Sequence, residues 1–322
     1  MTFTLVHWVG FSVCIAFFLA LDLGVFHKNP GKPAFKESIL WTALWVVLAI
    51  GFTGMLFYLG GRPLATQFFT GYFIELSLSM DNVFVIALIF LHFKVPQEYQ
   101  HRVLFLGILG ALLMRGMLIG VGVALINRFD WILYVFGGFI VLTGIKMAFG
   151  GDEESHMEKN WMVIAVRKIF PVSDEFHGQK FFIRQAGRRV LTPLFVVLLL
   201  VEMTDLLFAL DSVPAIFGVT RNSFLVFTSN VFAILGLRSL YFVLAGALGL
   251  FRYLKFGLSL VLIFIGVKMV IDPHDNPPRW FQYDIPDNVA LGVVVATIAI
   301  FISASIVSAR HEKGLKSHSG TS

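Results

Sequence analysis

Cysteine is almost missing from this chain: Cys14 stands alone among 322 residues. That excludes a disulfide framework and a thiolate metal site. Charge is scarce as well, with Asp, Glu, Lys and Arg making up 14% of the chain, against about 25% in soluble domains. A disordered chain needs the opposite balance, so disorder is excluded. No P-loop string is present, which argues against ATP-driven transport by this chain alone. What fills the space is apolar: 57% of the residues are hydrophobic, 35 of them Phe, and the mean hydropathy is +0.81. A water-soluble domain of this length could not bury so much apolar surface. The composition predicts an all-α polytopic membrane protein, one transmembrane domain over residues 1–322. The segment MTFTLVHW has no basic n-region, and Asp22 interrupts the apolar run behind it, so the first run reads as a retained helix rather than a signal peptide.

Apolar stretches near the ~20 residues needed to cross a bilayer fall at about 3–25, 39–60, 71–93, 103–126, 131–149, 192–219, 223–249, 255–271 and 289–309. Nine crossings are expected. Lys and Arg set the direction. Seventeen lie on one side, in the loops after the first, third, fifth and seventh spans and in the C-terminal tail. Only Arg62, Arg128, Arg221 and Arg279 lie on the other. The N-terminus is therefore expected outside, and the C-terminus and the long 150–191 loop in the cytoplasm. Within that loop Trp161–Phe170 reads as an amphipathic interfacial helix. Asp272, Asp275, Asp284 and Asp287 mark an acidic outer loop. The +5 formal charge is spread over loops, so no nucleic-acid partner is expected; the lipid bilayer is.

Four basic residues remain inside spans: Arg115, Lys146, Arg238 and Lys268. They fall into matching pairs. LTGIKM (142–147) answers FIGVKM (264–269), and GALLMRGML (110–118) answers FAILGLRSL (232–240). ELSLSMDNV (75–83) answers DLLFALDSV (205–213), aligning Glu75 with Asp205 and Asp81 with Asp211. Two repeats result, about 71–149 and 192–271. Each has three spans, an odd number, so the second copy must be inverted in the membrane. Inverted repeats in transporters place substrate between the copies near the midplane.

Six acids also lie within spans: Asp22, Glu75, Asp81, Glu202, Asp205 and Asp211. Charge at that depth is costly and is either paired or functional. The four internal cations, with Arg115 and Arg238 as structural counter-charges beside Lys146 and Lys268, leave two acids over. Glu202 and Asp205 are three apart and share a helix face. Pro214 should break or kink the span and free the Leu210 carbonyl beside Asp211. Ser77, Ser79, Asn82, Ser212, Thr228, Ser229 and Asn230 offer further polar atoms nearby. None of the nine His residues lies at mid-span, so the candidate ligands are all oxygen. Such a set suits Mg²⁺, Ca²⁺ or Mn²⁺ and argues against Zn²⁺; protons or Na⁺ alone are the other option.

The string VExxDxxFAxDSxPA (201–215), followed by TSNxFAxLGLR (228–238) and joined to ELSLSMDNVFV (75–85), resembles the TerC family of integral membrane proteins, in particular its Alx-like branch. Leu76 and Val213 depart from the family pattern at positions that are not proposed ligands. The resemblance covers most of the chain. It implies a manganese exporter of the bacterial plasma (inner) membrane, with some members tied by name to tellurium resistance. By position it implies Glu75, Asp81, Glu202, Asp205 and Asp211 as the acidic motif residues, and Asn82 lies within the same motif. Manganese, as transported ion rather than cofactor, rests on the resemblance; no cofactor is expected. An intramembrane enzyme is disfavoured because GxGD is absent and the Glu-x-x-His of di-iron sites occurs only outside the spans, at Glu98–His101 and Glu153–His156. The alternative is an accessory membrane protein supporting metal loading of other proteins, without transport of its own.

Overall fold

The computed structural model describes residues 3–26, 35–129, 131–149, 171–185, 188–244, 253–272 and 280–319. Trp161–Phe170 and Asp275 lie outside them. Asp22 lies within α1, but its side chain is outside the described part. The chain is helical almost throughout: α1 (Leu5–Phe26), α2 (Phe35–His92), α3 (Gln97–Arg128), α4 (Ile132–Phe149), then α5 (Pro193–Phe217), α6 (Ser223–Leu244), α7 (Leu254–Ile271) and α8 (Asp287–Ser319). Seven of these helices are long and apolar enough to cross a membrane. In α1 the described apolar run, Leu5–Ala20, is shorter.

α2 has 58 residues. At 1.5 Å per residue it would extend about 87 Å if straight, nearly three times the ~30 Å hydrocarbon core. It breaks at Gly61 (φ 77°, ψ −173°) with Pro63 just beyond. A positive φ with extended ψ is open to glycine and to almost no other residue. The second arm begins near Pro63, about eight residues before the start read from hydropathy. Gly60, Gly61 and Arg62 look like a loop in composition, yet Pro63 fits the first turn of a new helix, where its missing N–H is not needed.

α6 is the innermost helix. In its most apolar window 89% of the residues are buried, against 17–56% in the other candidate spans. α2 and α3 pack on one side of it, and α2 and α3 also pack on α5. An aromatic core of Phe11, Phe52, Phe68, Phe224 and Phe232 fills the space between α1, α2 and α6; the Phe52 and Phe232 rings are 5.1 Å apart. Much of the rest of the apolar surface faces outward, Leu113, Met117 and Leu142 among it. Exposure of that kind is what a lipid-facing helix surface requires.

α4 and α7 pack backbone to backbone. A Cβ placed on Gly137 would lie 2.8 Å from the Gly266 carbonyl oxygen, and one on Gly266 would lie 2.7 Å from that of Gly137. Seven residues along, Ser259 Oγ donates to the Gly144 carbonyl at 2.6 Å. Small residues allow this approach, and the packing gained replaces the hydrophobic drive that lipid does not supply.

Hydropathy alone does not reveal the structure inside the 150–191 loop. β1 (Phe182–Gln185) and β2 (Arg188–Leu191) form an antiparallel hairpin. Val172 bridges Leu191, and Arg102 Nη1 of α3 donates to the Gln179 carbonyl at 2.6 Å. The hairpin stands two residues before α5 begins.

Candidate ion site around Arg115

Helical spacing assembles the site. On α2, Glu75, Ser79 and Asn82 are separated by four and then three residues, so they share one face. On α5, Asp205 and Ser212 are seven apart and share another. α3 brings Arg115 between these faces, and α6 brings Asn230. Arg115 is 3% exposed, Asp205 4% and Glu75 0%.

Arg115 holds the group together. Its Nη1 is ion-paired with Glu75 Oε1. Its Nε and Nη2 donate to Asp205 Oδ2 and Oδ1 at 3.1 and 2.9 Å, the two-pronged geometry that a guanidinium suits best. Nη1 also donates to Ser212 Oγ at 3.2 Å and to Asn230 Oδ1 at 3.3 Å. Asn82 Nδ2 adds a 2.7 Å bond to Asp205 Oδ1. Glu75 and Asp205, aligned positions of the two sequence repeats, thus converge on one arginine.

Glu202 lies one turn from Asp205 and within electrostatic reach of it. Its carboxylate occupies the space in front of Gly110 on α3, where a Cβ would overlap it. Two carboxylates therefore share one guanidinium with a third close to them, and the group carries excess negative charge when all are ionised. Several buried polar atoms here have no hydrogen-bond partner: Glu75 Oε2, Ser79 Oγ, Asn82 Oδ1, Glu202 Oε2 and Asn230 Nδ2. A buried polar atom left unmet costs about 1–3 kcal/mol. Four of the five are oxygens, so what the site lacks is positive charge or donors.

The other expected site residues lie elsewhere. Asp81 precedes Asn82 and Asp211 precedes Ser212, and one residue is about 100° of helix rotation. Both acids turn away from Arg115. Asp211 Oδ1 accepts from Thr143 Oγ1 at 3.1 Å, with Lys146 of α4 in electrostatic reach. Asp81 has Lys255 in that role. No hydrogen bond joins Asp81 to Asp211 among the described residues. Arg238, 3% exposed, lines a small cavity with Ser38, Trp41 and Trp45. Lys268, 2% exposed, meets Asp272 Oδ2 at 3.3 Å, the Gly218 carbonyl at 3.4 Å and Asp287 Oδ1 at 4.0 Å. Gln67 extends that contact, donating to Asp287 Oδ2 at 2.9 Å and accepting from Thr220 Oγ1 at 2.8 Å.

Among the described residues, no three His, Cys, Asp or Glu side chains gather closely enough to cage a metal. A cation at Arg115 would have to use one or two carboxylates, amide and hydroxyl oxygens, and water. Ions of the Mg²⁺ type accept that arrangement, since they give up hydration reluctantly. Ser77, Thr228 and Ser229 each donate their hydroxyl to a carbonyl of their own helix. α5 also runs through Pro214 as one helix to Phe217. The break expected there is absent, although Pro214 has no N–H to give the Leu210 carbonyl. Gly110, Thr143, Lys255 and Gln67 are contacts that the sequence pattern does not mark as site residues. Gly110 and Thr143 do lie inside the repeated strings GALLMRGML and LTGIKM, which is the signal that could have found them.

The description Integral membrane protein TerC family matches residues 61–313. An uncharacterized membrane protein of Myxococcus xanthus is 48% identical over 305 residues, covering 94% of this chain and 93% of its own length. The Escherichia coli (strain K12) protein Alx, named as a candidate membrane-bound redox modulator, is 43% identical over 317 residues, covering 95% and 96%. An uncharacterized membrane protein of Rickettsia bellii is 38% identical over 300 residues, covering 93% and 97%. No solved structure matches this chain. A family match that takes in α2's second arm through most of α8, with Glu75, Arg115, Asp205 and Asn230 all inside it, settles the kinship: this chain belongs to the TerC family of integral membrane proteins.

Proposed function

We propose that the chain is a secondary transporter that exports a hard divalent cation, manganese foremost, across a bacterial inner membrane, without a catalytic step of its own. The observation that carries this reading is the buried group around Arg115, rich in acceptor oxygens and short of positive charge. Arg115 acts as the resident counter-cation. A divalent ion and the guanidinium compete for Glu75 and Asp205, so loading requires Arg115 to release at least one of them. Protons compete for the same oxygens, which couples ion movement to proton movement without a separate relay. Glu202 beside Gly110 is an alternative carboxylate for the ion, which uses one or two of them, and Asn82 is an amide ligand. Asp81 and Asp211, placed one residue from the group, serve as staging carboxylates on the route.

The architecture proposed with it has nine crossings, α1 and each arm of α2 included, an outside N-terminus and a cytoplasmic C-terminus. Residues 71–149 and 192–271 form inverted repeats. Their exchange is supported by the seam between α4 and α7. Aligning Gly144 with Gly266 also aligns Gly137 with Ser259. The contact Gly137–Gly266 then becomes the contact Ser259–Gly144, and both are present.

The test is Mn²⁺ flux in liposomes holding only this protein, under an imposed pH gradient. Efflux driven by the gradient, and lost in Asp205→Asn and Asp211→Asn, is expected. An absence of flux from correctly folded protein would favour the accessory reading. Alx is named for redox modulation; under that reading this chain would act on redox state through metal supply, since one cysteine gives it no dithiol of its own.

A further inference from the structure

The hairpin before α5 places two like charges face to face. Its register sets Arg184 directly opposite Arg189 and Phe182 opposite Leu191. Directly opposed residues share one face of a two-stranded ribbon, and like charges there are destabilising. The two guanidiniums do not stand on bare surface. With His177, Lys180, Phe182 and Ile183 they line an open cavity of about 680 Å³, within the ~300–1,000 Å³ range of small-molecule sites. Among the described residues no acidic side chain lines it; Asp174 and Glu175 are exposed in the bend before it, and Glu98 belongs to α3.

The hairpin is also held in place. Thr192 Oγ1 donates to the Lys180 carbonyl at 2.7 Å, Gln179 Nε2 to the Glu98 carbonyl at 3.3 Å, and the Arg102 guanidinium stacks 4.9 Å over the Phe181 ring. Phe182 is 55% exposed, and its ring lies 5.0 Å from that of Phe195 in the first turn of α5. The cavity therefore sits where a membrane span begins, with an aromatic ring on the same face as the arginine pair.

From this we infer that the hairpin cavity binds the headgroup of an anionic phospholipid. The phosphate would lie between Arg184 and Arg189, whose planar forks match its oxygens and whose mutual repulsion it relieves. Phe182 and Phe195 lie on the acyl-chain side, where aromatic rings favour the interface. A free phosphate would satisfy the guanidiniums but not the exposed ring, and this favours the lipid. The inference needs the membrane location of the chain but not the transport reading. Basic cavities at the cytoplasmic face are suited to anionic headgroups.

The experiment is native mass spectrometry of the full chain in detergent. Phosphatidylglycerol and phosphatidylcholine are supplied at equal concentration, with and without excess inorganic phosphate. Wild type should carry phosphatidylglycerol in preference by about tenfold. R184Q/R189Q, checked for folding by its melting profile, should lose that preference, while K36Q/K94Q, which removes two exposed basic charges elsewhere, should keep it. R184K/R189K keeps the charge without the fork and should fall between. If R184Q/R189Q does not fold, a lysine variant with undiminished preference overturns the site in favour of bulk charge. Equal retention of both lipids by wild type overturns it too. Inorganic phosphate abolishing the preference at modest excess would identify free phosphate as the ligand and overturn the lipid assignment.

Discussion

Arg115 is outnumbered by the acids it serves, and its geometry is what makes the group stable. Arg115→Lys keeps the charge but loses the paired contact to Asp205. Removing one partner from a buried ion pair costs about 3–5 kcal/mol, and the lysine should cost less than that but remain clearly destabilising. A melting profile in detergent checks this, and a variant as stable as wild type would mean the fork is dispensable. Arg238→Lys belongs to a different environment, beside Ser38, Trp41 and Trp45. It should lower stability without altering ion preference; normal folding with altered selectivity would contradict the counter-charge role. Gly110→Ala drives a methyl into the Glu202 carboxylate. Overpacking of this sort costs about 1–3 kcal/mol, and Mn²⁺ should then stabilise the protein against heat less than it stabilises wild type. Equal Mn²⁺ protection would remove Glu202 from the ion site.

Among the elements, the α4–α7 seam makes the clearest demand. Gly266→Ala places its Cβ 2.7 Å from the Gly137 carbonyl oxygen, a backbone atom that cannot swing aside. The helices must separate, with an expected loss of about 1–3 kcal/mol. Gly138→Ala, one residue from Gly137, meets nothing within 4 Å and should be neutral or mildly stabilising, since alanine favours the helix by up to about 1 kcal/mol over glycine. Comparing the two melting temperatures checks the seam, and similar values would show that the close approach does not matter. A related argument applies to α2, where only a glycine tolerates the φ of 77° at position 61. Gly61→Val should reduce the yield of folded protein.

For the whole molecule the test is topological. With Cys14 replaced, a single cysteine at position 160 should react only with reagent that has crossed the membrane, and one at position 221 should react from outside. The asymmetry of Lys and Arg between the two sides requires this. Labelling of position 160 from outside would reverse the orientation, and with it the cytoplasmic placement of the hairpin. Lys268, Asp272, Asp287, Gln67 and Thr220 form the polar contact at the end of the bundle opposite the hairpin in that orientation.

Composition and charge pattern alone determined the membrane class and most of the helix positions, because burial in lipid restricts which residues a span can contain. Glu75, Asp205 and Arg115 are legible as candidates for the same reason: charge inside a span is costly and must answer to something. The tertiary structure decided how they are shared. The sequence presents Arg115 and Arg238 as equivalents, and Asp81 and Asp211 as ligands beside Glu75 and Asp205. Rotation of about 100° per residue sends Asn82 and Ser212 inward and Asp81 and Asp211 away. Side-chain packing puts only Arg115 between the two acidic faces, with Arg238 among tryptophans. The hairpin was hidden for a different reason. Four-residue strands rich in arginine carry too little apolar alternation to stand out, and their contacts to α3 and the start of α5 exist only in the folded chain.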